Sequence, residues 1–220
     1  MVMLDGPRVP PAAGGPARQL VVLLHGLGAD GTDLIDLAGQ WAPGLPEAAF
    51  VAPDAPEPCD MAPFGRQWFS LQDRTPARVE AGLRAARPAL DAFLDRELTR
   101  HALPPEALAL VGFSQGCMLA LFTGLRMARG PAAILGYSGA LVAPESLAVE
   151  ALARPPVLLV HGEADEVVPA ARSRAAEMAL RAAGVPVTAL YRPGLGHGID
   201  AEGLAAGLAA LRTGFGMTPV

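Results

Sequence analysis

One turn constrains this chain more than any other feature. Gly112-Phe113-Ser114-Gln115-Gly116 lies between a continuous apolar run at residues 107–111 and a segment at 117–127 whose apolar residues fall on nearly every face. A strand that passes straight into a buried helix through Gly-x-Ser-x-Gly holds its serine at the tip of a strained turn with the hydroxyl projecting. Such a turn leaves little room around the serine, and Gly112 and Gly116 provide that room because they have no side chain. The pentapeptide alone is equally compatible with a tight glycine turn that does no chemistry, so its surroundings must decide.

Those surroundings read as a sheet covered on both faces. Short apolar runs at residues 19–24, 49–52, 107–112, 132–137, 157–160 and 187–191 each end in glycine, proline or acidic punctuation. Helical patterns at 32–41, 77–100, 115–127, 170–183 and 201–215 alternate with them. Alternation of this kind predicts an α/β fold with a mostly parallel, doubly wound sheet and helices on both faces, and the chain's length leaves no large cap domain. Ligands of such sheets gather at the carboxyl ends of the strands, so the loops after strands are where chemistry is expected. The chain has 220 residues and is 51% hydrophobic, and no linker or charge block divides it, which predicts a single domain over residues 1–220. Its Pro/Ala/Gly-rich residues 1–18 are expected to be mobile or to pack as a short edge hairpin.

The net charge of −5, with both signs interspersed, offers no basic stripe for nucleic acid or anionic lipid. All 17 basic residues are arginine and asparagine is absent, a compositional bias that carries no functional signal. No segment reaches about 18 uninterrupted apolar residues and the N-terminus lacks an apolar core of signal-peptide type, so neither membrane integration nor export is expected, and a cytoplasmic location is the default. Cys59 and Cys117 lie far apart, and Cys117 falls in the predicted buried helix, so free thiols are expected.

A serine hydroxyl is a poor nucleophile at neutral pH; it needs a histidine to take its proton and a carboxylate to orient that histidine. There are four histidines. His25 and His161 each follow an apolar run and precede glycine, the pattern of a strand-end histidine bonded locally. His101 ends a long helix, where a cation favours the helix dipole. His197 sits in Gly194-Leu195-Gly196-His197-Gly198, after the last strand and before the last helix, and is the candidate base. The acid should fall between serine and histidine in a post-strand loop, where Glu163, Asp165 and Glu166 all stand; Asp165 is preferred, with the two glutamates as rivals. Developing oxyanion charge needs main-chain donors, the first from the residue after the nucleophile, Gln115. The second comes from the glycine-rich loop Leu24-His25-Gly26-Leu27-Gly28-Ala29-Asp30-Gly31, with Leu27 N–H the candidate. That loop lacks the Gly-Lys-Ser/Thr ending of a phosphate loop and the dinucleotide spacing. No cluster has metal-ligand spacing, so neither metal nor cofactor is expected.

The glycine-rich loop, the serine turn, His161-Gly162 with Asp165-Glu166-Val167-Val168-Pro169, and Gly196-His197 occur in this order from about residue 20 to 211. Together with Ala52-Pro53-Asp54-Ala55-Pro56 and Gly65-Arg66-Gln67-Trp68-Phe69, they resemble the phospholipase/carboxylesterase family of small α/β-hydrolases, which includes acyl-protein thioesterases. The resemblance implies Ser114 as nucleophile, Asp165 as acid, His197 as base, and the Leu27 and Gln115 amides as oxyanion hole. The chain is too short for a large cap domain, so the 54–74 loop, with Met61, Phe64, Trp68 and Phe69, is expected to supply most of the apolar wall for a substrate; a surface loop tucked by its own aromatics is the alternative. Where the family commonly has glycine after the serine turn this chain has Cys117, and where many members have aspartate after Trp-Phe it has Ser70. Cys117 should only tighten helix packing; Ser70 and Cys59 alter the acyl-site end of the motif.

The expected function is a serine carboxylesterase acting on small-molecule esters of short or medium acyl chains, with thioesters as further candidates. Rival readings are a cyclic ester hydrolase of the dienelactone type, disfavoured by serine at the nucleophile position, and a catalytically silent binding module of the same fold. Members of the family are often dimers, so a homodimer is carried as a candidate assembly.

Overall fold

The computed structural model describes residues 3–218. Its main sheet has seven strands: β1 (Arg8–Val9), β2 (Gln19–Leu24), β3 (Ala48–Val51), β6 (Leu108–Phe113), β7 (Ala133–Tyr137), β8 (Val157–Gly162) and β9 (Val187–Arg192), in the order β1-β3-β2-β6-β7-β8-β9. All neighbours are parallel except β1, which runs antiparallel to β3. A separate two-stranded ribbon, β4 (Glu57–Pro58) with β5 (Arg66–Gln67), lies in the 54–74 loop. The N-terminal stretch thus contributes an antiparallel edge strand and not the edge hairpin named above. Residues 1 and 2, at its start, lie outside the described residues.

The strand period of two divides the core. Leu20, Val22 and Leu24 of β2 face one side, where they meet Leu83, Leu90 and Phe93 of α3 (Pro76–His101), Leu121 of α4 (Gln115–Gly124) and Leu180 of α6 (Ala171–Ala182). Val21 and Leu23 face the other, against Leu34 of α1 (Gly31–Ile35), Trp41 of α2 (Leu37–Trp41) and Leu211 of α7 (Ala201–Gly214). β2, β3, β6, β7 and β8 are buried on both faces, which is why they read as unbroken apolar runs, whereas the edge strands β1 and β9 are largely half-buried.

Three differences from the sequence reading have local causes. The helix expected over 32–41 is two, broken at Asp36, which serves as both C-cap and N-cap. The helix expected over 115–127 stops at Gly124. A short α5 (Leu147–Glu150) follows β7 with no periodic signal, anchored by Leu147 and by Arg126, whose guanidinium bonds Glu150 and Ser146. Conversely, α3 runs unbroken through Pro88 to His101 and closes on Ala102 in left-handed geometry at φ 54°.

Candidate active site

Ser114 sits between β6 and α4 at φ 53°, ψ −114°, in the positive-φ region that side chains avoid. The glycines around it do what the turn demands. A Cβ on Gly112 would lie 2.3 Å from Gly116 O, and one on Gly116 would lie 1.9 Å from Leu24 O. Gly26 approaches from the β2 loop, and a Cβ there would come within 3.4 Å of Ser114 Cβ. The Ser114 N–H donates to Tyr137 O at 2.9 Å, tying the turn to β7. Cys117, one turn into α4, is buried against Gly136 and Gly139, and burial pushes its thiol up to about 12, so it stays protonated and unreactive.

The loop after β8 carries the three acidic candidates to different places. Glu163 points outward and pairs with Arg174 at 2.6 Å, and Glu166 is exposed. The Asp165 carboxylate is fully buried. Its Oδ1 accepts from the Val167 and Val168 amides, each at 2.9 Å, and its Oδ2 accepts from His197 Nδ1 at 2.8 Å. Burial alone would raise its pKa, but the His197 bond and the two amides outweigh that and hold it below the usual carboxylate value. The His197 side chain keeps 19% exposure, and its ring rests on Phe113, the neighbour of Ser114, with centroids 4.8 Å apart. Among the described residues, Ser114 Oγ and His197 Nε2 are hydrogen-bonded neither to one another nor to any other group.

Leu27 and Gln115 N–H likewise have no acceptor among the described residues, whereas Gly28 N–H, next in the loop, is used by Arg66 O at 2.9 Å. The loop is braced from below. His25 Nε2 accepts the Ala55 N–H at 3.0 Å, Nδ1 donates to Gly26 O at 2.7 Å, and burial depresses the pKa of the ring, all of which fit a neutral imidazole. Trp68 Nε1 donates to His25 O, and the Gln115 side chain accepts from Trp68 N and donates to Phe69 O. Trp68 and Phe69 are thereby buried under the site, at 2% and 4% exposure, and Phe69 packs on Gly82 of α3. Met61 and Phe64 stay at the surface, at 47% and 74% exposure, on a ribbon whose Arg66 bridges to Ala29. The exposed large apolar side chains of the 54–74 loop are therefore Met61 and Phe64, whereas Trp68 and Phe69, expected to line a substrate wall, are buried.

His161 is the residue whose part the sequence reading understated. It is a strand-end histidine with local bonds, as expected, yet its Nε2 also lies 3.1 Å from Asp165 Oδ2. The four-residue spacing from His161 to Asp165 was the available signal. Among the described residues no group of three or more His, Cys, Asp or Glu side chains is placed to hold a metal, and no helix is long and apolar enough to cross a membrane.

A model of the phospholipase/carboxylesterase family matches residues 8–213. The chain is similar to esterase YpfH of Escherichia coli (strain K12), 32% identical over 90% of this chain and 83% of that one. It is also similar to acyl-protein thioesterase 1 of Gibberella zeae, 28% identical over 84% and 85% of the two chains. Among solved structures, esterase PE8 superimposes with a TM-score of 0.92 at 44% identity, covering 96% of this chain and 99% of that one.

Proposed function

Because the chain belongs to the phospholipase/carboxylesterase family, we propose that it is a serine esterase in which Ser114 attacks the acyl carbonyl, His197 takes and returns the proton, and Asp165 orients His197. The observation that carries this reading is the 2.8 Å bond from His197 to a buried Asp165, beside a strained serine flanked by two unengaged amides. The free Leu27 and Gln115 N–H groups are the oxyanion donors, positioned before the charge develops and hence at no reorganisation cost when it does. The missing Ser114–His197 bond fits a triad that tightens once substrate is bound. Water activated by the same imidazole then releases the acyl group.

The acyl chain lies along Met61 and Phe64, an open apolar surface without a deep cap, which suits short to medium esters and their thioester analogues. Hydrolysis of p-nitrophenyl esters from acetate to decanoate, with Ser114→Ala as control, tests the reading. Turnover that dies with the serine, together with a fluorophosphonate adduct on Ser114, is expected. Activity retained in Ser114→Ala overturns the assignment.

A further inference from the structure

We propose that His161 is a positioning residue for this reaction, acting through Asp165; the inference rests on the esterase reading above. Asp165 Oδ2 has an imidazole on each side: His197 Nδ1 at 2.8 Å and His161 Nε2 at 3.1 Å. The His161 side chain is fully buried and takes no part in the proton transfers assigned above. Its Nε2 also lies 2.7 Å from Val168 O, and a carbonyl can only accept, so Nε2 carries the proton. That N–H is donated to the carbonyl of a residue whose amide holds one carboxylate oxygen, and the other carboxylate oxygen, the one that orients His197, lies against the same nitrogen.

The far side of the ring is fixed too. Nδ1 is 2.6 Å from Ser173 Oγ in α6, and that hydroxyl reaches Gly139 O at 3.3 Å. Gly139 packs against the serine turn, where a Cβ on it would lie 3.0 Å from Ser114 O. The contacts form a chain from the backbone of the nucleophile through Gly139, Ser173 and His161 to Asp165 and His197. Without His161, Oδ2 has only His197 to define its direction, and Asp165 can rotate about its two amide bonds. A misplacement of about 1 Å in such a group is worth about 100-fold in rate.

The test exploits shape. A glutamine amide at this position reaches the place of Nε2, whereas an asparagine amide reaches only that of Nδ1. His161→Gln is expected to keep kcat on p-nitrophenyl acetate within about threefold of wild type. His161→Asn is expected to lose about 10- to 100-fold in kcat at unchanged KM, both measured per active site titrated with fluorophosphonate. Ser173→Ala, which leaves both Nε2 contacts in place, should lose less than His161→Asn. Equal kcat in the two His161 variants overturns the proposal, because a merely space-filling histidine would not distinguish them. Should His161→Asn fail to fold, a folded His161→Gln that has lost tenfold in kcat overturns it, and one within threefold supports it. Wild-type protein no more active than Ser114→Ala would instead remove the esterase reading itself.

Discussion

Ser114 holds its backbone at φ 53° because ladder bonds on β6 and the Tyr137 carbonyl leave it no alternative. Strain of this kind in a residue with a Cβ costs about 1–3 kcal/mol. Replacing Ser114 by glycine removes the clash at some entropic cost, so Ser114→Gly should gain about 1 kcal/mol, seen as a melting temperature about 2–4 °C higher, while losing all turnover. A lower melting temperature would mean that the turn is unstrained. At the acid, burial separates the candidates: Asp165→Asn should cost about 10⁴-fold in kcat, the loss typical of a triad whose imidazole is no longer held in the right tautomer. Glu163→Gln and Glu166→Gln, at exposed positions, should leave kcat at the wild-type value. A large loss in either glutamate variant would displace Asp165 from its role.

The elements around the site are coupled through one residue. The Trp68 indole, in the loop after β5, donates to the carbonyl of the last residue before the Gly26-Leu27 turn, and its main-chain N–H donates to the Gln115 side chain at the head of α4, so both proposed oxyanion donors are referenced to Trp68. Trp68→Phe keeps most of the packing but leaves the buried His25 carbonyl without its donor, a loss of about 1–3 kcal/mol. A lower urea midpoint is expected together with a fall in kcat larger than the change in KM; an unchanged kcat would show that the donors are set independently. Such a brace is invisible in sequence because it joins residues more than forty positions apart through the edges of side chains. β2, β3, β6, β7 and β8 were legible because burial on both faces forces apolar runs, β9 because its half-buried residues are still mostly apolar, and the serine turn because its sterics demand glycine. The β4–β5 ribbon was not, since Glu57–Pro58 and Arg66–Gln67 show no alternation and depend on bonds to Ala29 and Gly28. Ser114 and His197 could be proposed from loop position, and Asp165 could be set above Glu163 and Glu166 only with the family resemblance, whereas the burial of Trp68 and Phe69, and the second imidazole on Asp165, are consequences of three-dimensional packing.

Across the whole molecule, the groups with depressed pKa values all act in the same direction. His25 must stay neutral in the fold because Nε2 accepts the Ala55 amide, and burial holds its pKa below the ordinary imidazole value of about 6.5. As pH falls below 6.5, the unfolded chain takes a proton that the fold refuses, so more protons are bound unfolded than folded and stability declines. Asp165 and Glu150 are acids with depressed values. Their contributions are complete above the unfolded values of 3.8 and 4.5 and are lost as pH drops through the folded ones, for Glu150 about 2 through its bonds to Arg126 and Arg84. The urea midpoint should therefore begin to fall below about pH 6.5, before Asp165 and Glu150 titrate, and fall further below pH 4.5. His25→Gln isolates the first phase, since a glutamine carbonyl can accept the Ala55 N–H but cannot titrate. That variant should be less stable than wild type at pH 8 through poorer packing, yet lose less stability between pH 7 and 5. Parallel midpoint curves for the two proteins over that interval would show that the buried imidazole does not govern the onset of acid unfolding.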